Sequence, residues 1–511
     1  MNSFKAHFFF FIVLGFNSFL SGQIVNRPAP LELFSYEFEA VNSSFSGQYF
    51  TVPFLLRSSV NDSGFVSPTP MIIDKDGFLV LYLPRENANN SMFRYWPDFN
   101  KFSLYITEGG NNYYVVFDSL FNPIDTISNS TGIEKDGHEF VILANGNYLF
   151  AGAKFDTVDL SMDSIAGGLG NANTPLVGFV VEEFDASGNL LVLWNSNDHL
   201  DPLDFIDTYP YNPNKFDYCH GNAIEKTADG NYLISFRHLD AIYKVNRNTG
   251  NVLWKLGGKS SSFSFINDYG FSGQHDIREL ANGDISLFDN GNSGPAPKKS
   301  RALIYSLDTT NYTARLQWNF NNSPSQYSRA MGNHHISPAK FHLVNYGLLF
   351  RPDPSITLID NSKNKIAQFY FKDSVMAYRS FIIDNPLLFS RPPVSCTVIA
   401  NQTELSAPAG FNSYRWSTGD TTASILVTTP GLYQVWVNHG LAMLGSLPMI
   451  IDDPAIGCNT ISIEEVDENV PPEIIAIFDL MGRRVNRRKS NQAYILQYSD
   501  GSFERVLTVK Q

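Results

Sequence analysis

The chain has 511 residues, 43% of them hydrophobic and 14% aromatic (41 Phe, 24 Tyr), and a formal net charge of −13. That length exceeds what one hydrophobic core usually covers, so more than one domain is expected. The acidic balance argues against nucleic acid as a partner, because phosphate binding needs a basic face.

Residues 1–22 read as a signal peptide. Lys5 supplies the positive start, 8–14 an apolar run, and Ser21-Gly22 a small-residue cleavage site before Gln23. The apolar stretch is short for a membrane anchor and is interrupted by Asn17. Export is the expectation, with the mature chain starting near Gln23 and residing at the cell surface or outside the cell. Export permits disulfides. Of the three cysteines, Cys396 and Cys458 bracket a small predicted β domain and are placed to staple its ends. Cys219 is then a lone thiol, better read as a buried small residue than as a nucleophile.

Between about Pro28 and Asp384 the chain repeats. Three hairpins share an Ala-Asn/Asp-Gly turn ending at Gly146, Gly230 and Gly283. Each is followed by a second hairpin, as in 241–246 with 252–254 and 302–308 with 314–318. Together they make a four-stranded unit whose turn glycines lie 53 residues apart from Gly230 to Gly283, and 64 from Gly283 to Gly347. That period predicts an all-β fold, a six-bladed β-propeller over 23–390, closed by N-terminal strands near 49–56. After the boundary at Pro392-Pro393, residues 391–460 carry alternating strands with Trp416 and Trp436. They resemble the Ig-like β-sandwich modules of secreted Bacteroidetes proteins. Residues 461–511 form a β-rich tail with a basic cluster (Arg483, Arg484, Arg487, Arg488, Lys489). It is similar to the sorting domain of type IX secretion cargo, although Ala493 stands where a glycine commonly precedes the tyrosine.

The chemistry-bearing residues share one phase of this repeat. His138, Asn222 and His275 each lie eight positions before their turn glycine, and His220 lies two before Asn222, on the same side of a strand. Arg237, seven residues past Gly230, returns to their level, and Asp289-Asn290 takes the matching place after Gly283. Three imidazoles, an amide and a guanidinium at one channel mouth suit a tetrahedral oxyanion, with one imidazole free to attack. A metal is the competing use of clustered histidines. Arg237 would repel a cation and no carboxylate shares the histidine phase, so no metal is expected. A cofactor propeller of the quinone-dehydrogenase kind is a further option, but its Trp-rich blade signature is missing, so no cofactor is expected. On a strand His238 points away from Arg237 and is structural. His334-His335 begin a degenerate fourth copy, and whether one faces the channel stays open.

Four segments carry a family resemblance: Cys219-His220-Gly221-Asn222-Ala223-Ile224, Ser235-Phe236-Arg237-His238, Trp254-Lys255-Leu256-Gly257-Gly258 and Gln274-His275-Asp276-Ile277. With them, roughly 28–385 resembles the bacterial arylsulfotransferase family. The resemblance implies PAPS-independent transfer of a sulfuryl group from an aryl sulfate donor to a phenolic acceptor. His275 would be the nucleophile that becomes sulfohistidine, with His138, His220, Asn222 and Arg237 holding the sulfuryl oxygens. The tail adds the type IX secretion machinery as a partner, and a homodimer is left open. The rival is a non-catalytic surface propeller, an adhesin or glycan-binding module, which has no need of Arg237 beside three same-phase histidines.

Overall fold

The computed structural model describes residues 23–55, 68–84, 89–128, 132–165, 168–372 and 374–459, and the strands Ile474–Asp479, Gln492–Tyr498 and Phe503–Thr508. The proposed signal segment and the basic cluster of the tail lie outside the described residues. The described chain is almost entirely β, arranged as a propeller of antiparallel meanders.

The recurrent turns work as their composition requires. Gly146, Gly230 and Gly283 adopt φ of +84°, +81° and +83°, a left-handed conformation that glycine enters without steric cost. Around Gly230, Gly230 N–H donates to Thr227 O (2.8 Å) and Thr227 N–H to Asn231 O (2.9 Å), which sends the chain straight back.

Four meanders are continuous in sequence. They begin with the inner strands Asn89–Trp96, Glu134–Ile142, Gly221–Lys226 and His275–Glu279. Two further sheets mix the ends of the region. Outside the meander that begins at Asn333–Ile336 lie Tyr36–Ala40 and then Ile24–Asn26, and the innermost strand Val375–Ile383 is followed outward by Gln48–Leu55, Met71–Asp74 and Leu79–Tyr82. Closure is therefore an exchange: the N-terminal strands near 49–56 pair as expected, but onto a C-terminal strand that lines the channel. The inner strands touch in a circuit, Glu134–Ile142 to Gly221–Lys226, His275–Glu279, Asn333–Ile336, Val375–Ile383, Asn89–Trp96 and back.

Strand alternation builds the core between the sheets. Ile224 and Ile234 face Val181 and Trp194 of one neighbour, while Ala223, Leu233 and Ile242 face Leu287 and Leu303 of the other. Both faces are buried, so the strands read as nearly continuous apolar runs, each large side chain contributing roughly 1.5–3 kcal/mol.

The unit beyond Pro393 is joined to the propeller through a sheet. Tyr414–Trp416, Val435–His439 and Ala442–Gly445 extend the sheet that ends in Leu79–Tyr82, through Met443 opposite Tyr82 and Leu444 opposite Leu81. Gln434 Nε2 and Trp436 Nε1 donate to the Leu79 carbonyl at 2.8 and 3.2 Å. A period-two pattern marks a strand without saying which strand it joins, so this continuity was not visible in the sequence. Cys396 and Cys458 form a disulfide across the two small sheets of the unit.

Candidate active site

The inner strands are irregular at one common level. Register shifts lie between Ser91 and Arg94, Lys135 and Phe140, Gly221 and Ala223, His275 and Arg278, and Ala377 and Ser380. Each puts extra residues on the inner strand, a bulge that re-aims side chains. His138, Asn222, Asp276 and Arg379 all sit within these bulges. His220 (φ +46°) and Asp276 (φ +58°) hold left-handed backbone beside them, a conformation such residues keep only where the surroundings impose it. Asn333–Ile336 pairs without a shift, which is the structural form of the degenerate fourth copy.

His275 is 2% exposed. Its Nδ1 lies 2.9 Å from the Gly273 carbonyl and 2.7 Å from Asn290 Oδ1. A carbonyl only accepts, so Nδ1 carries the proton and Nε2 the lone pair. Asn290 is itself oriented, because its Nδ2 donates to Ser328 O (2.8 Å) and Met331 O (3.0 Å). Burial, and then the Arg237 charge, push the His275 imidazole well below its ordinary value. It is a neutral imidazole of fixed tautomer.

The other two histidines are wired differently. His138 Nδ1 is hydrogen-bonded to Asp136 Oδ1, and His220 Nδ1 lies 2.5 Å from Asp217 Oδ2. The two rings meet edge to face with centroids 5.2 Å apart. Burial pulls His138 down, but the Asp136 carboxylate and its hydrogen bond outweigh it and hold the imidazole above its ordinary value. Counting back from the turn glycines does not find these two aspartates, which the structure adds to the cluster. Their signal was local, two residues before His138 and three before His220.

Arg237 stands across from His220, its backbone N–H donating to the His220 carbonyl at 3.0 Å. Its guanidinium lies over the Tyr209 ring (4.8 Å) and gives Nη2 to Arg329 O (3.1 Å), while its buried Nε has no hydrogen-bond partner. Asn222 gives Nδ2 to Gln274 O at 2.8 Å, the residue before His275. His238 departs from expectation. Arg237–Leu239 is a 3-10 turn, and His238 stacks on His220 (4.7 Å) and gives Nδ1 to the Asp217 carbonyl (2.6 Å). Strand alternation does not hold through the turn, so His238 belongs to the cluster.

Below the histidines lies a buried ion network. Glu139 and Asp276, each one residue beyond a site histidine, both pair with Arg278 (2.8 and 2.7 Å) and Arg379 (3.2 and 3.5 Å). The carboxylates missing from the histidine phase thus point down to these arginines. Arg379 also donates Nη2 to Asn222 O at 2.5 Å, and its Nε is buried without a partner. Nothing local in the sequence marks Arg379, which arrives on the closing strand.

His138 and His220 open onto a cleft of about 530 Å³ walled by Tyr105, Phe155, Phe179 and Tyr378. His275, Asn222 and Arg237 do not line it. Asp217, His220 and His238 offer ligand atoms within 4.8 Å of one another. Hydrogen bonds within that group already engage Asp217 and both Nδ1 atoms. His334 stacks on Trp318 and bonds His342, away from the channel, whereas His335 gives Nε2 to Ile382 O (3.1 Å) on the closing strand. The Cys219 thiol is buried and pushed up to about 12 by burial, which leaves it inert.

The propeller thus brings a neutral imidazole, a guanidinium and an amide to one level of its inner strands. The family model for arylsulfotransferase (ASST) matches residues 54–379, more than half of the chain, and the protein belongs to that family. Its class of reaction is aryl sulfotransfer independent of PAPS, with an aryl sulfate as donor and a phenol as acceptor. No curated protein matches the chain. Among solved structures it is similar to a protein of unknown function from Bacteroides caccae (13% identity, 66% of this chain and 99% of that one, TM-score 0.42). It is also similar to a catalytically inactive virginiamycin B lyase from Staphylococcus aureus with quinupristin (10%, 73% and 96%, TM-score 0.34). A third is the Cps50 (Swd1) β-propeller domain of Myceliophteria thermophila (12%, 73% and 96%, TM-score 0.34). Likenesses at these scores carry no inference about function.

Proposed function

We propose that the protein transfers a sulfuryl group between phenols through a sulfohistidine on His275. The donor sulfate lies against Arg237, Asn222, His138 and His220, and His275 Nε2 attacks sulfur in line with the departing phenolate. The phenol leaves, a second phenol enters, and it takes the group from nitrogen. The observation that supports this most is the Gly273–Asn290 clamp on Nδ1, which leaves Nε2 as an unprotonated nucleophile among positive groups. The cleft walled by Tyr105, Phe155, Phe179 and Tyr378 suits the aryl ring. The circuit of inner strands supports six blades, and the two small sheets with their disulfide support an Ig-like unit. Export through residues 1–22 and surface attachment through the tail from about 461 complete the proposal.

The test is release of p-nitrophenol from its sulfate with and without an added phenol, followed by mass analysis of protein incubated with donor alone. A sulfuryl group on the peptide containing His275 is expected. Turnover without any protein-bound sulfuryl group would overturn the covalent route.

A further inference from the structure

The geometry points to Asp240 as a positioning residue that locks the His275 nucleophile and the Arg237 guanidinium into one frame. This rests on the sulfotransfer proposed above, in which both groups act on the same sulfate.

Asp240 caps the 3-10 turn Arg237–Leu239, with φ of +47° and ψ of +37°. That is left-handed backbone, where glycine is the low-cost residue and a β carbon brings strain. The side chain that stands there instead is buried, 6% exposed, with both carboxylate oxygens engaged. Oδ1 accepts the Tyr209 hydroxyl and the Gly273 N–H, both at 2.6 Å, and Oδ2 accepts the Ser293 hydroxyl at 3.1 Å.

Two of these bonds lead to the reacting groups. Gly273 is the residue whose carbonyl accepts the Nδ1 proton of His275. A glycine restricts the direction of its own carbonyl least of any residue, so that direction is set by what holds the segment. Asp240 holds it at the Gly273 N–H, and Asn222 holds it at the Gln274 carbonyl. No side chain can replace the anchor at Gly273 itself, where φ is +62° and a β carbon would meet Asn292 Nδ2 at 2.5 Å. The other bond leads to Arg237, whose guanidinium lies over the Tyr209 ring at 4.8 Å. Tyr209 belongs to the long connection between Leu190–Asn195 and Gly221–Lys226, and Asp240 ties the hydroxyl of that ring to the turn that carries Arg237. Among the described residues no other carboxylate makes both links. Asp289 accepts the neighbouring Ser272 N–H at 2.9 Å, but its other bonds go to Gly291 and Arg301.

The frame depends on an acceptor oxygen, not on a charge. An asparagine with its oxygen in place of Oδ1 keeps both links, and its Nδ2 can donate to the Ser293 hydroxyl. Asp240→Gly removes the side chain at a position whose backbone suits glycine, so it tests the links without straining the turn.

The test measures the burst of first-phenol release from p-nitrophenyl sulfate. It also reads the His275 tautomer by nitrogen NMR of histidine-labelled protein, the signal being assigned by its loss in His275→Ala. Asp240→Gly should slow the burst roughly 10- to 100-fold, whereas Asp240→Asn should stay within a few fold of wild type. Combined with Asn290→Ala, which removes the second Nδ1 acceptor, Asp240→Gly should cost more than the product of the two single losses. In that double variant the imidazole should pass from a single form protonated at Nδ1 to a mixture of tautomers, which a merely structural role would not produce. Asp240→Gly with a burst near that of wild type, Asp240→Asn as slow as Asp240→Gly, or a double variant with an unchanged tautomer overturns the assignment. Wild-type protein that releases no phenol overturns sulfotransfer instead, and the tautomer measurement, which needs no turnover, still decides the frame.

Discussion

Asn290 Oδ1 accepts the Nδ1 proton of His275 at 2.7 Å while its own amide nitrogen is held by the carbonyls of Ser328 and Met331. A neutral amide fixes the tautomer without drawing a proton onto the ring, as a carboxylate would. Asn290→Ala should therefore lower kcat roughly 10- to 100-fold, with the Gly273 carbonyl still holding part of the orientation. Asn290→Asp should instead raise the imidazole's proton affinity and move the acid limb of kcat/KM to higher pH. Paired pH profiles check both, and an unmoved limb in Asn290→Asp would show that Asn290 does not tune His275.

His275→Ala should abolish transfer and protein-bound sulfuryl together, because no other imidazole in the cluster has a nitrogen so held. In the wild type the acid limb should fall well below the ordinary histidine range, since burial and Arg237 favour the neutral ring that attacks. Stopped-flow release of the first phenol from pH 4 upward would read it.

Arg237 has a buried Nε with no partner and is expected to give its free N–H groups to sulfuryl oxygens. Arg237→Ala should cost roughly 10²- to 10³-fold in kcat/KM. Arg237→Lys should recover little of it, because an ammonium cannot reproduce the planar fork. A lysine variant with near wild-type kinetics would argue that only charge matters here.

Stability has a hub of its own at Glu183, whose buried carboxylate binds Lys226 and Arg247 at 2.9 Å, and Tyr232. Burial opposes ionisation, but these partners hold the carboxyl down to about 2. A depressed folded value contributes stability that is present above the unfolded value of ~4.3 and is lost as pH falls toward about 2. Glu183→Gln should lower stability by about 2 kcal/mol at pH 7, less than a fully buried pair would because both cations are partly exposed. That deficit should shrink on acidification. Urea titrations at pH 7 and 3 measure the difference.

The disulfide closes a loop of 62 residues. Reduction should cost its unit about 2–4 kcal/mol and leave aryl sulfotransfer unchanged. Coupled loss of transfer would mean that the added unit shapes the channel.

Much of this site was legible, for identifiable reasons. The Ala-Asn/Asp-Gly turns mark where each second strand begins, and counting back from them finds His138, Asn222 and His275. Counting assumes straight strands, however, and these strands bulge. The bulges let Glu139 and Asp276 turn toward Arg278 and Arg379, and the 3-10 turn brings His238 against His220. Neither follows from alternation. Asp136 and Asp217 were readable from their spacing to a histidine, since a carboxylate two or three residues away on an irregular segment reaches an imidazole. Arg379 was not, because its place depends on a pairing between chain segments more than 300 residues apart.

That pairing has a kinetic side. The innermost strand of the closing sheet, Val375–Ile383, is the last of the ring to leave the ribosome, yet it pairs with Gln48–Leu55 from the start. It carries the Arg379 contact to Asn222. Until it docks, the channel wall has a gap beside His138 and a row of unsatisfied backbone groups along Gln48–Leu55. Assembly dominated by such distant contacts is slow. A chain shortened before Val375 should retain intact meanders yet lack a catalytic cavity, so the enzyme would switch on in one step, when its two ends meet.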